Sequence, residues 1–311
     1  MPLEVPASKL SSPPRQDPVV SGAVAEGGYD VRPVAATVAR TFSDRWATYA
    51  ALAAAEFRRY TTYRQAVIAA IFTNSVFGFV RCFVLLAVAG GVTGGMAAGY
   101  SRARLVTYVW IGQGLLGTVN IWGGPELADR IRTGDVVADL LRPVDPVWQY
   151  LAADLGRGAF AVLSRLLVPV VVGAIAFDLY TPARVATYPL FALSLLLAVV
   201  VSFACRHLVN ASAYWLLDAR GPQMGWVAAS SALSGMAFPL AFLPAPVVAG
   251  LYLATPLPYL IQVPSDVLVE RYPLSTTAMM VAGQAVWAAV MLGVARLVQR
   301  RAERRVVIQG G

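Results

Sequence analysis

The sequence predicts an all-α integral membrane protein, and its composition, its long apolar runs and the placement of its arginines support this class. Of the 311 residues, 58% are hydrophobic and 14% charged, and the mean hydropathy is +0.62. A soluble domain is usually about 45–50% apolar and about 25% charged. A core of this length cannot hide so many apolar side chains, so lipid is the expected solvent.

The N-terminal region divides into two parts before the first apolar run. Residues 1–40 lack a periodic apolar face and the apolar core of a signal peptide, so we predict a disordered cytoplasmic tail. Residues 41–64 place an aromatic arc on one side of a helix: Trp46, Tyr49, Ala53, Phe57 and Tyr60. Arg58 and Arg59 lie off this arc. We expect a helix in the membrane interface, with a helix packed on protein as the alternative.

Six candidate spans follow within a predicted membrane domain of residues 65–305, before a short C-terminal tail, 306–311. Each clean span approaches the ~20 residues that cross ~30 Å of hydrocarbon. The fifth span begins near Gln223 and becomes broken. The other five run over residues 65–89, 105–122, 156–176, 186–205 and 275–297.

Arginine asymmetry sets the predicted orientation. Arginines concentrate in cytoplasmic loops, so both termini are expected in the cytoplasm. The outer loops then hold only Arg102, Arg104, Arg184 and Arg271. The inner side holds Arg45, Arg58, Arg59, Arg64, Arg130, Arg132, Arg142, Arg157, Arg206, Arg220, Arg296, Arg300, Arg301, Arg304 and Arg305.

The fifth region is apolar yet rich in proline. Each proline removes a backbone donor and obstructs the preceding helical turn, so one straight helix is not expected. We predict a span followed by short re-entrant helices between spans five and six, with a long external loop as the alternative. The prolines are Pro239, Pro244, Pro246, Pro256, Pro258 and Pro264.

Three polar residues inside the spans are candidates for a transport pathway. Arg81 lies in the outer half of the first span, where a guanidinium must face protein, water or substrate. Gln113 and Asn120 are seven residues apart in the second span, so we expect them on one side of it. Structural pairing is the alternative for all three.

Several chemistries find little support. His207 is the only histidine, which excludes HExxH and multi-histidine metal sites. Cys82 and Cys205 lie in apolar stretches and form no metal motif. The arginines flank apolar runs instead of forming one basic tract, which argues against nucleic-acid binding. We therefore predict no catalytic centre, no metal and no cofactor in this chain.

A charged segment, residues 123–146, interrupts the apolar pattern with regular helix signals. Gly124 and Pro125 are placed to start a helix, beside Glu126 at its positive end. Glu126 and Arg130 are spaced i,i+4, and Asp129 and Arg132 i,i+3. Leu127 and Ile131 share the other side. Gly134 predicts the helix end, Asp135 the start of a second turn, and Pro143 its end. A solvated loop is the alternative.

This segment resembles the cytoplasmic loop of ABC-2 type permeases. The matching residues are Ile131, Arg132, Thr133, Gly134, Asp135, Val136, Leu140, Leu141, Arg142 and Pro143. The prolines of the fifth region resemble the same family, and the likeness covers about residues 43–305. Such permeases lack an ATPase, and this chain has no GxxxxGK[ST] loop.

The resemblance implies a six-span permease that works as a homodimer or heterodimer with two copies of a separate cytoplasmic ATPase. That subunit would bind ATP and Mg²⁺ and drive export across the bacterial cytoplasmic membrane. The substrate would be a lipid, glycolipid, antibiotic or peptide. The family's coupling helix, which seats in the ATPase, would correspond to Glu126, Leu127, Asp129, Arg130, Ile131 and Arg132, ending at Gly134.

Two other functions stay open on the sequence. An ion-driven secondary carrier would place acids deep within the spans, whereas Asp178, Asp266 and Glu270 fall at their predicted outer edges. A lipid-modifying membrane enzyme would need a cluster of His, Asp or Glu at one interface.

Overall fold

A computed structural model describes residues 42–62, 64–90, 96–142, 144–216 and 218–304. These residues are almost entirely helical. Their strands form one short antiparallel hairpin, in which β1 (Met96–Ala97) pairs with β2 (Tyr100–Ser101). The predicted tails, residues 1–40 and 306–311, lie outside the described residues.

The first half of the chain contains two helices that change pitch. One α-helix continues as a π-helix over Leu116–Asn120, and another passes through a π-helix at Val162–Leu166 before continuing. The helices in order are α1 (Phe42–Thr61), α2 (Arg64–Gly90), α3 (Arg102–Leu115), α4 (Glu126–Thr133), α5 (Val136–Leu140), α6 (Pro146–Ala161) and α7 (Leu167–Ala176).

The second half begins and ends with long helices and is broken between them. Its α-helices are α8 (Thr187–Ala211), α9 (Arg220–Leu233), α10 (Ala245–Ala254), α11 (Gln262–Leu268) and α12 (Leu274–Glu303). Short 3-10 turns occupy Ser212–Tyr214, Leu240–Phe242 and Leu257–Tyr259.

Four helical segments are long and apolar enough to cross a membrane: Val67–Gly90, Pro146–Ala176, Thr187–Tyr214 and Leu274–Glu303. They coincide with the first, third, fourth and sixth predicted spans. Their outward surfaces are apolar; Phe72 and Ile175, for example, are 71% and 82% exposed. Lipid rather than water suits such surfaces. The all-α membrane class predicted from the sequence is therefore confirmed.

The other two predicted spans are not confirmed as such. The second corresponds to α3 and its π-helical extension, whose residues Leu105–Leu115 are all buried within the protein. The fifth corresponds to α9, which has 14 residues and so reaches only about 21 Å of the ~30 Å required. Prolines and short turns follow it, as the proline pattern predicts.

The third span begins earlier than predicted because its start signal lies outside the apolar run. The carboxylate of Asp145 accepts hydrogen bonds from the backbone N–H groups of Val147 and Trp148, at 3.0 and 3.4 Å. Pro146 occupies the first helical turn, where its missing N–H costs nothing.

The protein core surrounds α3 and has polar contacts at both ends. Trp110, Tyr108 and Leu115 are fully buried. We call the end that holds residues 121–146 the charged end. The other end, which we call the distal end, holds residues 96–101, 177–187 and 262–273, because the long helices run between the two.

Candidate coupling site

The charged segment folds as the predicted pair of short helices, α4 and α5, which we call the helical loop (residues 123–146). Pro125 occupies the N-cap position, so α4 starts at Glu126, one residue later than predicted. Gly134 adopts the left-handed conformation, with φ of 85°, and its N–H bonds the Ile131 carbonyl at 3.3 Å. This ends the helix as the sequence predicts.

One face of α4 anchors the loop to the long helices. Leu127 and Ala128 are 5% and 6% exposed. Leu127 packs with Val136 of α5 and Ala211 of α8 in a buried cluster that includes Ile131 and Val298. These contacts join α4 to α8, and the same cluster includes Val298 of α12.

A buried carboxylate ties the loop to α6. Asp139, 3% exposed, accepts hydrogen bonds from Arg130 Nε and from the Tyr150 hydroxyl, both at 2.6 Å. Burial alone would raise the pKa of Asp139, but the hydrogen bonds from Tyr150 and Arg130 outweigh it and hold that pKa below its usual value. The same hydrogen bond raises the pKa of Arg130.

Two details of the predicted charge pattern are wrong. Arg130 pairs with Asp139 instead of Glu126, because the buried carboxylate offers a charge-assisted hydrogen bond that an exposed neighbour cannot match. Asp135 makes no capping hydrogen bond; its carboxylate accepts from the Thr133 hydroxyl at 2.8 Å. The predicted pair of Asp129 and Arg132 does form, at 3.3 Å.

The opposite face of α4 is open and charged. Glu126, Asp129 and Arg132 are all exposed. Beside them lies a groove of about 630 Å³ between α4 and the segment from Ala213 to Gln223. Apolar Leu216 and charged Arg220 line its far wall. The loop therefore presents a mixed-charge ridge next to a groove, on a base fixed to three long helices.

The predicted interfacial helix, α1, lies along α6. Phe57 and Tyr60 contact the Phe160 ring, with centroids 5.8 and 6.2 Å apart. The backbones meet at Gly156, where an added Cβ would lie 2.0 Å from the Ala53 carbonyl oxygen. Part of the aromatic arc thus packs on protein, which was the alternative interpretation.

The outward side of α1 keeps its arginines exposed. Arg58 is exposed, and Arg59 pairs with Glu56 at 3.3 Å. Trp46 is 60% exposed and its ring lies 6.4 Å from that of Tyr49. Contact of this side with lipid headgroups stays a prediction.

The candidate pathway residues separate into two places. Arg81 Nη1 donates to Gln113 Oε1 at 2.7 Å, and Gln113 Nε2 donates to the Asn74 carbonyl at 3.2 Å. These contacts join α2 to α3. Asn120 lies apart, at the end of the π-helix, with φ of 56°. The wider turn of that helix shifts its side chain from the predicted face.

Several of the predicted prolines mark breaks in the segment between α9 and α12, whereas Pro246 lies in the first turn of α10. Pro239 and Pro244 precede a 3-10 turn and α10, whereas Pro264 lies within α11. Pro256 and Pro258 shape the intervening 3-10 turn. The buried amide of Gln262 holds the segment together: its Oε1 accepts from the Leu240 N–H at 2.8 Å and from the Tyr108 hydroxyl at 2.7 Å.

The distal end contains polar contacts that the sequence reasoning missed, which we call the distal network (Tyr100, Gln262, Asp266 and Arg271). Gln262 Nε2 donates to Tyr100 Oη at 2.9 Å and to Asp266 Oδ2 at 2.8 Å. Arg271 Nη1 donates to Tyr100 Oη at 2.6 Å, and the Tyr100 hydroxyl also bonds Asp266. Tyr100 is more than 160 residues away from the other three, so no local spacing signals its contacts.

Glu270 forms a second missed contact at this end. Its carboxylate accepts from the Thr187 hydroxyl at 2.5 Å, the Tyr180 hydroxyl at 2.7 Å and the Arg184 N–H at 2.8 Å. Although burial opposes ionisation, these hydrogen bonds lower the pKa of Glu270 to about 2. Asp266 and Glu270 were predicted at an outer edge, but their burial was not.

Together, the apolar helices, the broken segment and the projecting charged loop define a multi-pass α-helical membrane protein of transporter type. The family model described as "ABC-2 family transporter protein" matches residues 76–310, most of the chain. The chain therefore belongs to the ABC-2 transporter family, whose members are membrane permeases. No curated protein and no solved structure matches it.

Proposed function

We propose that this chain is the permease subunit of an ATP-driven exporter, and that a separate cytoplasmic ATPase docks on the helical loop. The observation that carries the proposal is the two-sided character of α4. Its buried side packs on α8 through Leu127, whereas its other side exposes Glu126, Asp129 and Arg132. Such a rigid element can transmit motion from a partner to the long helices.

The groove beside α4 supports the same docking surface. Asp129 and Arg132 line one wall, and Asp218 and Arg220 bring both charge signs to the other. Mixed charges at the rim of an interface fix register and favour one partner over others. The exposed Leu141, with 80% of its surface accessible, adds an apolar contact at the end of the loop.

Topology supports a cytoplasmic position for this surface. In the proposed arrangement, the four long helices account for four of the six passes. The helix α3 is one further pass, and α9 with its broken continuation is the other. The broken part re-enters the membrane from the outside. Both termini and the helical loop then lie in the cytoplasm with most arginines. Two of the outer arginines, Arg184 and Arg271, pair with Glu270 and Asp266, which reduces the outer positive charge further.

Membership of the family supports the proposed energy source and working assembly. Two ATPase copies, each binding ATP and Mg²⁺, would power two permease halves, and the substrate would pass between the halves. The large apolar exposure of α2, including Phe72 and Phe77, is consistent with contact to lipid or to a second permease. A hydrophobic or amphipathic substrate suits such surroundings.

Charge reversal tests this function directly. We expect Glu126→Arg combined with Arg132→Glu to lower ATP-driven uptake of a fluorescent amphiphile into inverted vesicles, which reports export in the cell, by at least about tenfold, because reversed charges oppose the partner surface. The matched control reverses two exposed charges at the distal end, Arg102→Glu with Asp178→Arg. Both variants should insert into the membrane like the wild type. Unchanged export in the first variant would contradict the proposal.

A further inference from the structure

A second cavity at the charged end, distinct from the groove, holds an unusual set of hydrogen-bond donors. It measures about 290 Å³ and lies among α1, α4, α6 and α8. Pockets for small molecules usually measure about 300–1,000 Å³, so this one suits a group of headgroup size. Its lining includes Asn120, Arg165 and Arg206. We call it the inner cavity.

Buried charges at the inner cavity are only partly neutralised. Asp154 is the acid among them, and it pairs with both Arg157 and Arg206 at 2.8 Å. Arg157 is held further by the protein, since it also donates to the Gly117 and Thr118 carbonyls at 3.1 and 3.0 Å. The lining holds two further acids, Glu56 and Glu126, but within the described residues neither of them forms an ion pair with Arg165.

Arg165 is the charge that most needs a partner. It lies eleven residues before the end of the span at Ala176, about 16 Å along the helix. A guanidinium within a span costs about 2.5–3.5 kcal/mol and therefore faces protein, water or a ligand. Within the described residues Arg165 forms no ion pair or side-chain hydrogen bond, although its stem packs closely on Gly117.

Two further donors point into the same space. An added Cβ at Gly123 would lie 2.6 Å from both Arg206 Nη1 and Asn120 Nδ2. Neither atom forms a hydrogen bond to the described part of the chain, although Arg206 is only 9% exposed. Both atoms are accessible, and both residues line the cavity, where a ligand or water can supply the acceptor.

The local backbone is shaped around these donors. One π-helix, Leu116–Asn120, ends at Asn120. The other, Val162–Leu166, contains Arg165. Single π-helical turns are frequent at functional sites. Asn120 also has a positive φ of 56°, a conformation that costs energy and that is retained where surrounding structure requires it.

We propose that the inner cavity binds the phosphate group of an anionic ligand through Arg165, Arg206 and Asn120. Paired guanidinium donors match phosphate oxygens in charge and geometry. A phospholipid headgroup and a soluble phosphate ester share this chemistry. The two further acids of the lining are engaged elsewhere or open to solvent: Glu56 pairs with Arg59, and Glu126 is exposed.

Binding to the purified full-length chain, without any ATPase, tests the proposal separately from the proposed function. Native mass spectrometry would titrate the protein with dioleoyl phosphatidylglycerol and with dioleoylglycerol, which has the same acyl chains and no phosphate. We expect saturable binding of the phospholipid alone. Competition by inorganic phosphate would identify soluble phosphate esters as ligands, and its absence would identify the lipid headgroup. Equal binding of both lipids would overturn the proposal.

Variants locate the binding to the inner cavity. Arg165→Gln should weaken phosphatidylglycerol affinity about 10- to 100-fold, the value of a charged hydrogen bond, while Arg165→Lys keeps most of it. Gly123→Ala keeps every charge but places a methyl group between the other two donors, so we expect about tenfold weaker binding. The control Arg301→Gln removes an exposed charge at the same end. If Arg165→Gln does not fold, the affinity of Gly123→Ala for phosphatidylglycerol tests the proposal instead. Wild-type affinity in Gly123→Ala, or in a folded Arg165→Gln variant, would contradict the proposal.

Discussion

The helical loop and the segment between α9 and α12 are both irregular, but they are held in different ways. The loop is determined largely by residues close together in sequence: the residues of its ion pair Asp129–Arg132 are three apart, and Gly134 ends its first helix. The other segment depends on Gln262, which bonds Tyr100 and Tyr108 more than 150 residues away. A locally determined element can project from the protein, whereas a distantly bonded one is held inside it.

We expect the largest loss of stability from a substitution that breaks the contacts between distant residues. Gln262→Leu removes the acceptor for the Leu240 N–H and the donor to Asp266, both in buried surroundings. Since each unsatisfied buried group costs about 1–3 kcal/mol, the free energy of unfolding should fall by about 3 kcal/mol or more. Thermal unfolding of the full chain in detergent measures this. A loss no larger than that of the exposed control Gln65→Leu would contradict the comparison.

Glu270 provides a pH test at the same end. Its folded-state pKa of about 2 lies below the ordinary 4.5, so the unfolded chain binds more protons between these values. Its contribution, up to about 3 kcal/mol, is present above pH 4.5 and lost as the pH falls toward 2. Glu270→Gln should flatten that part of the stability profile. The exposed Asp178→Asn should leave it unchanged; parallel profiles for all three proteins would refute this role.

The charged end should respond less to loss of its buried acid. Asp139→Asn weakens the contacts with Arg130 and Tyr150, and Arg130 is 37% exposed, so water compensates in part. We expect about 2 kcal/mol of lost stability. Limited proteolysis should also cleave the loop faster in this variant. Wild-type cleavage rates would show that Asp139 does not hold the loop on α6.

The smallest expected effect concerns the turn inside the loop. Gly134 has φ of 85° and open space around it, so Gly134→Ala introduces only backbone strain, about 1 kcal/mol. Gly124 has equally open space without a positive φ, which makes Gly124→Ala the matched control. Equal thermal stabilities of the two variants would show that the left-handed turn is not what ends α4.

These contrasts explain what the sequence could predict. The four long apolar helices and the ends of α4 follow from composition and from glycine and proline signals. Asp139 could not be identified as the partner of Arg130, because helix spacing favours Glu126 and the fold alone buries Asp139. The π-helices leave no signal in hydrophobic periodicity, and they move Asn120 away from Gln113. The partners of Glu270 come from a loop more than 80 residues away.

The most direct test of the central claim is photocrosslinking from the exposed face of α4. A photoreactive amino acid at Arg132, in the full chain expressed together with the proposed ATPase subunit, should form a covalent adduct with that subunit. Mass spectrometry would identify the adduct by peptides of the GxxxxGK[ST]-containing protein. The same probe at Arg102, exposed at the distal end, should give none. An adduct from Arg102, or its absence at Arg132 in an assembled complex, would contradict the account.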